Sequence, residues 1–151
     1  METYDEIVKN AQQRATQNNL PYAGALLPSE AFTLLKMVPK ARLIDVRTRA
    51  EWDWVGRIPE AVQVEWNQWP GGTRNPEFEK NLITAVPDKE APLLFLCRSG
   101  VRSHAAAALA KELGYQSTFN VLEGFEGDKD EQGHRNTIGG WRVRGLPWIQ
   151  S

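Results

Sequence analysis

The chain contains one cysteine, Cys97, among its 151 residues. A single cysteine cannot close an intramolecular disulfide, and it cannot assemble a cysteine-based zinc site. The two histidines, His104 and His134, have no companions at metal-ligand spacing. We therefore expect no metal and no other cofactor. A free thiol persists in a reducing compartment, so the lone Cys97 favours a cytoplasmic location.

Long apolar runs and an excess of one charge are also missing. No apolar run approaches the ~18 residues of a membrane span, and the N-terminus lacks the basic start and apolar middle of a secretory signal. The chain has 18 Lys and Arg against 19 Asp and Glu, a formal net charge of -1. Such a balance provides no basic field, so we expect neither nucleic acid nor a membrane as a partner.

The composition that remains is that of one globular domain. Apolar residues make up 41% of the chain and charged residues 25%, which is enough to bury a single core. Residues 2–19 carry apolar side chains at helical spacing and predict an N-terminal helix. We divide the chain into a helical extension over residues 1–24 and one domain over residues 25–151.

Short apolar runs alternate with helix-like segments along the chain. The predicted strands occupy residues 24–28, 42–46, 61–64, 93–97 and 118–122. The predicted helices occupy residues 29–38, 48–55, 75–86 and 103–114, with Ser29 as the first N-cap and Gly114 ending the last helix. This alternation predicts an α/β fold with a largely parallel sheet. The reactive site of such a sheet lies beyond the carboxyl ends of its strands, where Cys97 falls.

The segment CRSGVRS, residues 97–103, places the thiol between a strand and a helix. If the backbone of residues 98–102 curls around the sulfur, its N–H groups form a cup for an anion. Gly100 tolerates the left-handed conformation that this requires, and the helix N-terminus adds positive potential that favours the thiolate. Arg98 and Arg102 present planar donor groups suited to a sulfonate, arsenate or phosphate. The pattern predicts a cysteine nucleophile for anionic substrates rather than a buried structural cysteine.

Several stretches of the chain resemble the rhodanese family of sulfurtransferases. They are LIDVRTRAEWDWVGRIPEAVQV, LLFLCRSGVRSHAAAALAKELGY, NVLEGF and GGWRVRGLPW. The resemblance covers about residues 25–151. It implies a rhodanese-like fold, which is a mostly parallel five-stranded sheet flanked by helices on both faces, with a closing strand and a terminal helix. It also implies a thiosulfate sulfurtransferase-like enzyme that passes sulfane sulfur to cyanide, a thiol or a partner protein.

The resemblance implies a role for each residue of the loop. Cys97 would carry the sulfur as a persulfide, and Arg98 with Arg102 would bind the sulfonate of a small anionic donor. The amides that would hold the sulfur anion are those of Ser99, Gly100 and Val101.

Four further residues receive supporting roles. Asp45 ends a neighbouring strand, and we expect it to reach Arg102 and fix the loop. Ser103 stands near the start of the helix and supports the same loop. Arg47 and Glu51 are expected to form a structural pair.

The chain departs from the rhodanese pattern in two places. RIPEA stands where the family usually has His-Ile-Pro-Gly-Ala, so Arg57 and Glu60 replace a histidine and a glycine. Residues 126–138 lengthen a loop that is short in most single-domain members, and this insertion could form a rim or a partner surface. Trp66 and Trp69 follow a strand and could shape a pocket on the same face as Cys97.

Three other functions remain open. A cysteine-based phosphatase or arsenate reductase also uses a thiolate in an anion cup, but its loop typically places five residues between cysteine and arginine. Here four residues separate Cys97 from Arg102, and the tighter cup favours a single sulfur. A non-catalytic interaction module is disfavoured because the cysteine is present, whereas sulfur delivery to a partner protein stays an open alternative.

Overall fold

The computed structural model describes residues 2–151. In chain order, its helices and strands are α1 Tyr4–Gln17, β1 Gly24–Leu26, α2 Pro28–Met37, β2 Arg42–Asp45, α3 Arg49–Trp54, β3 Val62–Gln63, α4 Phe78–Ala85, β4 Leu93–Leu96, α5 Val101–Glu112 and β5 Thr118–Val121. The five strands form one sheet in the order β1-β5-β4-β2-β3, and all the pairings are parallel. The predicted α/β fold with a parallel five-stranded sheet is confirmed.

Both faces of the sheet are covered, as alternate residues of β4 demonstrate. Leu93 and Phe95 belong to one core, whereas Leu94 and Leu96 belong to the other. The first core includes Phe78 and Leu82 of α4 together with Ala106, Ala107 and Ala110 of α5. The second includes Ile7 of α1, Leu34 of α2 and Trp141 from the C-terminal segment. A strand buried on both faces reads as a continuous apolar run, which is why β4 was recognisable in the sequence.

Helix α5 packs directly on strands β4 and β5, and the cysteine loop connects β4 to this helix. Its inward face consists of Ala106, Ala107 and Ala110, all fully buried. Because alanine side chains are short, the helix axis can approach β4 and β5 closely. This packing fixes the N-terminus of α5 beside the carboxyl end of β4, where Cys97 lies.

The N-terminal helix α1 packs against the edge strand β1. A Cβ atom at Gly24 would lie 2.8 Å from the Ala11 side chain, so the close approach requires glycine at this position. Arg14 donates to the Ala25 carbonyl at 2.9 Å and to Glu30 of α2 at 2.6 Å. None of the helices within residues 2–151 is long and apolar enough to cross a bilayer.

Two predicted details of the helices were wrong. Ser29 is not the N-cap of α2, because the helix already begins at Pro28 and Leu27 is its N-cap. The Glu30 carboxylate satisfies the Leu27 N–H at 2.8 Å, so no serine hydroxyl is needed there. The predicted terminal helix is replaced by turns over residues 141–145. Gly145, with φ of +76°, interrupts the segment before a helix can form.

Candidate active site

Cys97 is the first residue after β4, at the carboxyl edge of the sheet. Gly100, the N-cap of α5, adopts φ of +110°, a conformation that favours glycine. This conformation accompanies a hydrogen bond in which the Gly100 N–H donates to Sγ at 3.1 Å. Cys97 is only 1% exposed. The sulfur therefore lies beneath the loop, with an amide at the N-terminus of α5 directed at it.

A chain of polar side chains continues from the sulfur into the protein. Ser103 Oγ lies 3.3 Å from Sγ and donates to Asn120 Oδ1 at 2.6 Å. Asn120 Nδ2 donates to the Gly100 carbonyl at 3.2 Å and to Tyr22 Oη at 3.4 Å. Tyr22 Oη is in turn 2.8 Å from Nδ1 of His104. The two residues that contact the sulfur, Gly100 and Ser103, are thus both hydrogen-bonded to the side chain of Asn120.

Arg102, in the first turn of α5, is held by Glu51 of α3. Nη1 donates to Oε1 at 2.7 Å and Nη2 donates to Oε2 at 3.0 Å. Two predicted pairs were wrong: Arg102 with Asp45, and Arg47 with Glu51. Asp45 instead binds Arg47, with Nη2 to Oδ2 at 2.7 Å and both side chains fully buried. The reason is local: in the bend after β2, the backbone N–H of Arg47 donates to Asp45 Oδ1 at 3.1 Å and its Nε donates to the same oxygen at 2.9 Å, so the carboxylate is already held beside Arg47.

The Glu51–Arg102 pair keeps both groups charged. Burial opposes the charge on Glu51, but the hydrogen bond and the positive charge of Arg102 outweigh it and lower the pKa of Glu51. Burial also opposes the charge on Arg102, whereas the hydrogen bond and the charge of Glu51 raise the pKa of Arg102. Thr48, the N-cap of α3, donates its N–H to the same carboxylate at 3.1 Å. Arg102 is therefore a fixed cation beside the cysteine loop.

A pocket of about 660 Å³ opens beside the loop, and both Arg98 and Arg102 line it. Trp54 and Trp69 also line this pocket, and they are 82% and 69% exposed. Large apolar side chains at a pocket mouth provide a surface for the organic part of a ligand. Glu126 lines the same pocket, so the charges of Arg98 and Arg102 are balanced by Glu51 and Glu126.

Only one of the two tryptophans expected at this pocket lines it. Trp69 does, as predicted. Trp66 instead packs edge-on against Phe78 of α4, with ring centroids 4.8 Å apart. The guanidinium of Arg74 stacks over the Trp66 ring, with Cζ 4.4 Å from the ring centroid. Trp66 is thus part of the packing between the loop and α4.

The segment Gly124–Gly127 forms the back wall of the loop. Phe125 N–H donates to the Cys97 carbonyl at 2.8 Å, and Glu126 N–H donates to the Arg98 carbonyl at 2.9 Å. Gly124 adopts φ of +64°, and a Cβ atom there would lie 2.5 Å from the backbone of Arg98. The first residues of the predicted insertion therefore contact the cysteine loop directly.

Both histidines form hydrogen bonds with other side chains of the protein. His104 faces Tyr22, and His134 donates its N–H to Asp130 at 2.9 Å. Within residues 2–151, no three His, Cys, Asp or Glu side chains converge as a potential metal-binding group.

Comparison with known proteins identifies the family of this fold and loop. The model of the Rhodanese-like domain matches residues 30–131, well over half of the chain. The chain belongs to the rhodanese-like family.

The relatives of this chain include uncharacterized proteins and proteins named as sulfurtransferases. The uncharacterized protein RC0915 of Rickettsia conorii is 37% identical over 123 residues, which cover 80% of this chain and 92% of that protein. The mitochondrial thiosulfate sulfurtransferase RDL2 of Saccharomyces cerevisiae is 37% identical over 82 residues, or 52% of this chain and 54% of that protein. The crystal structure of Rv0390 from M. tuberculosis matches with a TM-score of 0.79 and 45% identity, covering 86% and 99% of the two chains.

Most of the site residues predicted from the sequence lie together around the cysteine loop. Of the three amides predicted to hold the sulfur, that of Gly100 donates to Sγ, whereas those of Ser99 and Val101 make no hydrogen bond to it. The Ser103 hydroxyl also contacts the sulfur, and Arg98 and Arg102 border the pocket beside it. Sequence reasoning missed Asn120, which is 3% exposed in the middle of β5. The available signal was an asparagine within a short and largely apolar run, because a buried polar side chain needs partners.

Proposed function

We propose that this rhodanese-like protein is a sulfurtransferase in which Cys97 accepts sulfane sulfur and passes it to a thiophilic acceptor. The observation that carries the proposal is the Gly100 N–H, which donates to Sγ at 3.1 Å from the N-terminus of α5. An amide and a helix N-terminus directed at sulfur favour negative charge there. They would stabilise both the attacking thiolate and the persulfide anion that follows.

The proposed reaction has two steps. Thiosulfate and the Cys97 thiol form a Cys97 persulfide anion and hydrogen sulfite, as the new S–S bond replaces the S–S bond of the donor. The thiol proton leaves with the sulfite or to water. In the second step, cyanide or a thiolate attacks the outer sulfur, and Cys97 departs as a thiolate. No external oxidant or reductant is required.

We assign different roles to the two arginines. Arg98 is exposed at the pocket, so its guanidinium is available to bind the sulfonate of an anionic donor. Arg102 is occupied by Glu51 through two hydrogen bonds. It would therefore act mainly by fixing the first turn of α5 and by adding positive potential near the sulfur.

The size of the pocket supports an organic acceptor. Its volume of about 660 Å³ far exceeds the room that thiosulfate or cyanide would fill. Trp54 and Trp69 offer apolar contact area for the body of a thiol or for a protein surface that carries one. The yeast relative named as a thiosulfate sulfurtransferase supports thiosulfate as the donor. A lone thiol in this role is compatible with a reducing, cytoplasmic setting.

Sulfur loading provides the direct test. After incubation with thiosulfate, intact-mass spectrometry should show the added mass of one sulfur atom, and cyanide should remove it. Cys97→Ser should carry no sulfur, and because Cys97 is the only cysteine the site is unambiguous. The proposal fails if no donor loads the protein or if Cys97→Ser still carries cyanide-labile sulfur.

A further inference from the structure

The buried network around Asn120 determines which atom holds each hydrogen. The distance of 2.6 Å between Ser103 Oγ and Asn120 Oδ1 requires a hydrogen between two oxygens. An amide oxygen carries none, so the single hydroxyl hydrogen of Ser103 is committed to Asn120. Toward Cys97, Ser103 can then only accept a hydrogen bond.

The orientation of the Asn120 amide is fixed independently of Ser103. The Gly100 carbonyl lies 3.2 Å from one end of the amide, and a carbonyl requires a donor there. Exchanging the nitrogen and the oxygen would place two acceptors against each other. The second hydrogen on Nδ2 is received by Tyr22 Oη at 3.4 Å. Both hydrogens of the Asn120 amide therefore have an acceptor, and its oxygen has a donor.

Tyr22 completes the network with the same polarity. Burial raises the pKa of Tyr22, although the hydrogen bond from Asn120 lowers it in part. The phenol thus keeps its proton, accepts from Asn120, and can donate to Nδ1 of His104 at 2.8 Å. The hydrogen bond to Tyr22 therefore supports the same orientation of the Asn120 amide.

We propose that Asn120 is a positioning residue that holds Cys97 as a hydrogen-bond-donating thiol in the resting site. Because Asn120 takes the hydrogen of Ser103, the Cys97 thiol donates its own hydrogen to Ser103 Oγ across 3.3 Å. A thiolate would face the lone pairs of Ser103 unless that hydroxyl gave up its bond to Asn120. The Gly100 N–H favours the thiolate, whereas the Asn120–Ser103 pair opposes it.

This restraint implies an effect on sulfur loading, and that implication rests on the proposed function. Removing the Asn120 amide frees the Ser103 hydrogen to turn toward the sulfur. The Gly100 carbonyl keeps a second donor, the His104 N–H at 3.3 Å, so the loop retains a hydrogen bond at that point. Asn120→Leu should therefore make Cys97 more reactive at neutral pH, not less.

Two measurements that do not depend on sulfur transfer test the direction of these hydrogen bonds. The infrared S–H stretching band of the only cysteine should lie at the position of a donated hydrogen bond, and in Ser103→Ala it should move to that of a free thiol. Alkylation of Cys97 by iodoacetamide at neutral pH should accelerate about fivefold in Asn120→Leu, the factor that corresponds to about 1 kcal/mol for one hydrogen bond. In a Ser103→Ala background, Asn120→Leu should give no such gain.

Controls separate this role from a general loosening of β5. Thr118→Val removes another buried polar group from the same strand and should leave the alkylation rate unchanged. A gain from Asn120→Leu that persists without Ser103, or an S–H band of a free thiol in the wild type, would overturn the inference. If Asn120→Leu fails to fold, the infrared comparison of wild type with Ser103→Ala decides alone. If both measurements agree but thiosulfate loads no sulfur, the proposed function fails and the hydrogen-bond assignment stands.

Discussion

Glu51 joins α3 to the first turn of α5 by binding Arg102 through two hydrogen bonds of 2.7 and 3.0 Å. The cysteine loop ends at this turn, so the pair fixes the position of the helix N-terminus relative to the sulfur. Both side chains are 19% exposed, which limits screening by water. The stability of the fold and the geometry of the loop are therefore coupled at one ion pair.

Glu51→Gln should weaken both properties. In glutamine an NH2 group replaces one carboxylate oxygen and cannot accept from the guanidinium, and the negative charge is lost, so we expect the free energy of unfolding to fall by about 1–2 kcal/mol. Sulfur loading of Cys97 should slow because Arg102 and the first turn of α5 are less firmly held. Denaturant unfolding and loading kinetics measure the two effects. Glu79→Gln breaks the more exposed Arg74–Glu79 pair and should change neither by much.

The contribution of Glu51 should depend on pH with a definite sign. The pKa of Glu51 in the folded protein lies below the ordinary value of 4.5. Stability from this carboxylate is therefore fully present above pH 4.5 and is lost as the pH falls through the lower folded pKa. The difference in unfolding free energy between wild type and Glu51→Gln should be constant near neutrality and shrink at acid pH. A difference that stays the same across the acid range would contradict this assignment.

Arg98→Ala should impair use of an anionic sulfur donor without destabilising the fold. Arg98 is an exposed residue at the pocket, so its loss removes little packing, and in the proposed function it removes a contact to the sulfonate of the donor. We expect the KM for thiosulfate to rise about tenfold, which corresponds to a charged hydrogen bond of about 1.5 kcal/mol. Lys111→Ala removes a positive charge at the far end of α5 and serves as the control. An equal loss of thermal stability and activity in Arg98→Ala would indicate a structural role instead.

Gly124→Ala should displace the cysteine loop from behind. The added Cβ would lie 2.5 Å from the Arg98 backbone and 2.6 Å from the Cys97 carbonyl oxygen, and the backbone has φ of +64°. We expect a loss of about 2–4 kcal/mol in unfolding free energy together with loss of sulfur loading. Gly133→Ala is a matched control, because Gly133 also has positive φ but its added Cβ meets nothing within 4 Å. Similar effects of the two variants would mean that backbone strain, and not the contact with the loop, is responsible.

Local patterns in the sequence were sufficient to predict the sheet and the position of Cys97 at the end of a central strand. The run LLFL followed by Cys97 and Gly100 identifies a doubly buried strand that ends at a turn, and the structure has β4 and the N-cap of α5 at those positions. These features depend on residues that are close in sequence. They are therefore visible without knowledge of the fold.

Partner choice between charged residues could not be predicted in the same way. Asp45, Arg47, Glu51 and Arg102 allow two pairings of opposite charges, and the sequence does not distinguish them. In the structure Arg47 binds Asp45 within the core, and this leaves Glu51 to bind Arg102 of α5. Asn120 raises a related difficulty, because its partners Gly100 and Ser103 become apparent only when β5 is placed beside β4.

Sulfur transfer and phosphate hydrolysis place different demands on the amides of the cysteine loop. In the structure, the Gly100 N–H is bonded to the sulfur itself at 3.1 Å, and Cys97 is 1% exposed. An amide that is occupied by the sulfur is not available to an incoming phosphate oxygen. The wild-type protein should therefore show negligible hydrolysis of aryl phosphates at neutral pH.

Lengthening the loop should weaken that discrimination. Because α5 begins at Val101, the segment that sets the width of the cup runs from Arg98 to Gly100, so one glycine inserted after Ser99 should widen it. The variant should load less sulfur, because the Gly100 N–H moves away from Sγ, and it should bind arsenate or phosphate more tightly than the wild type. Turnover of an aryl phosphate by wild type and Cys97→Ser, measured side by side, provides the decisive comparison. A robust hydrolysis rate in the wild type that disappears in Cys97→Ser would mean that the short loop does not exclude a phosphoryl group, and the phosphatase function would then be preferred.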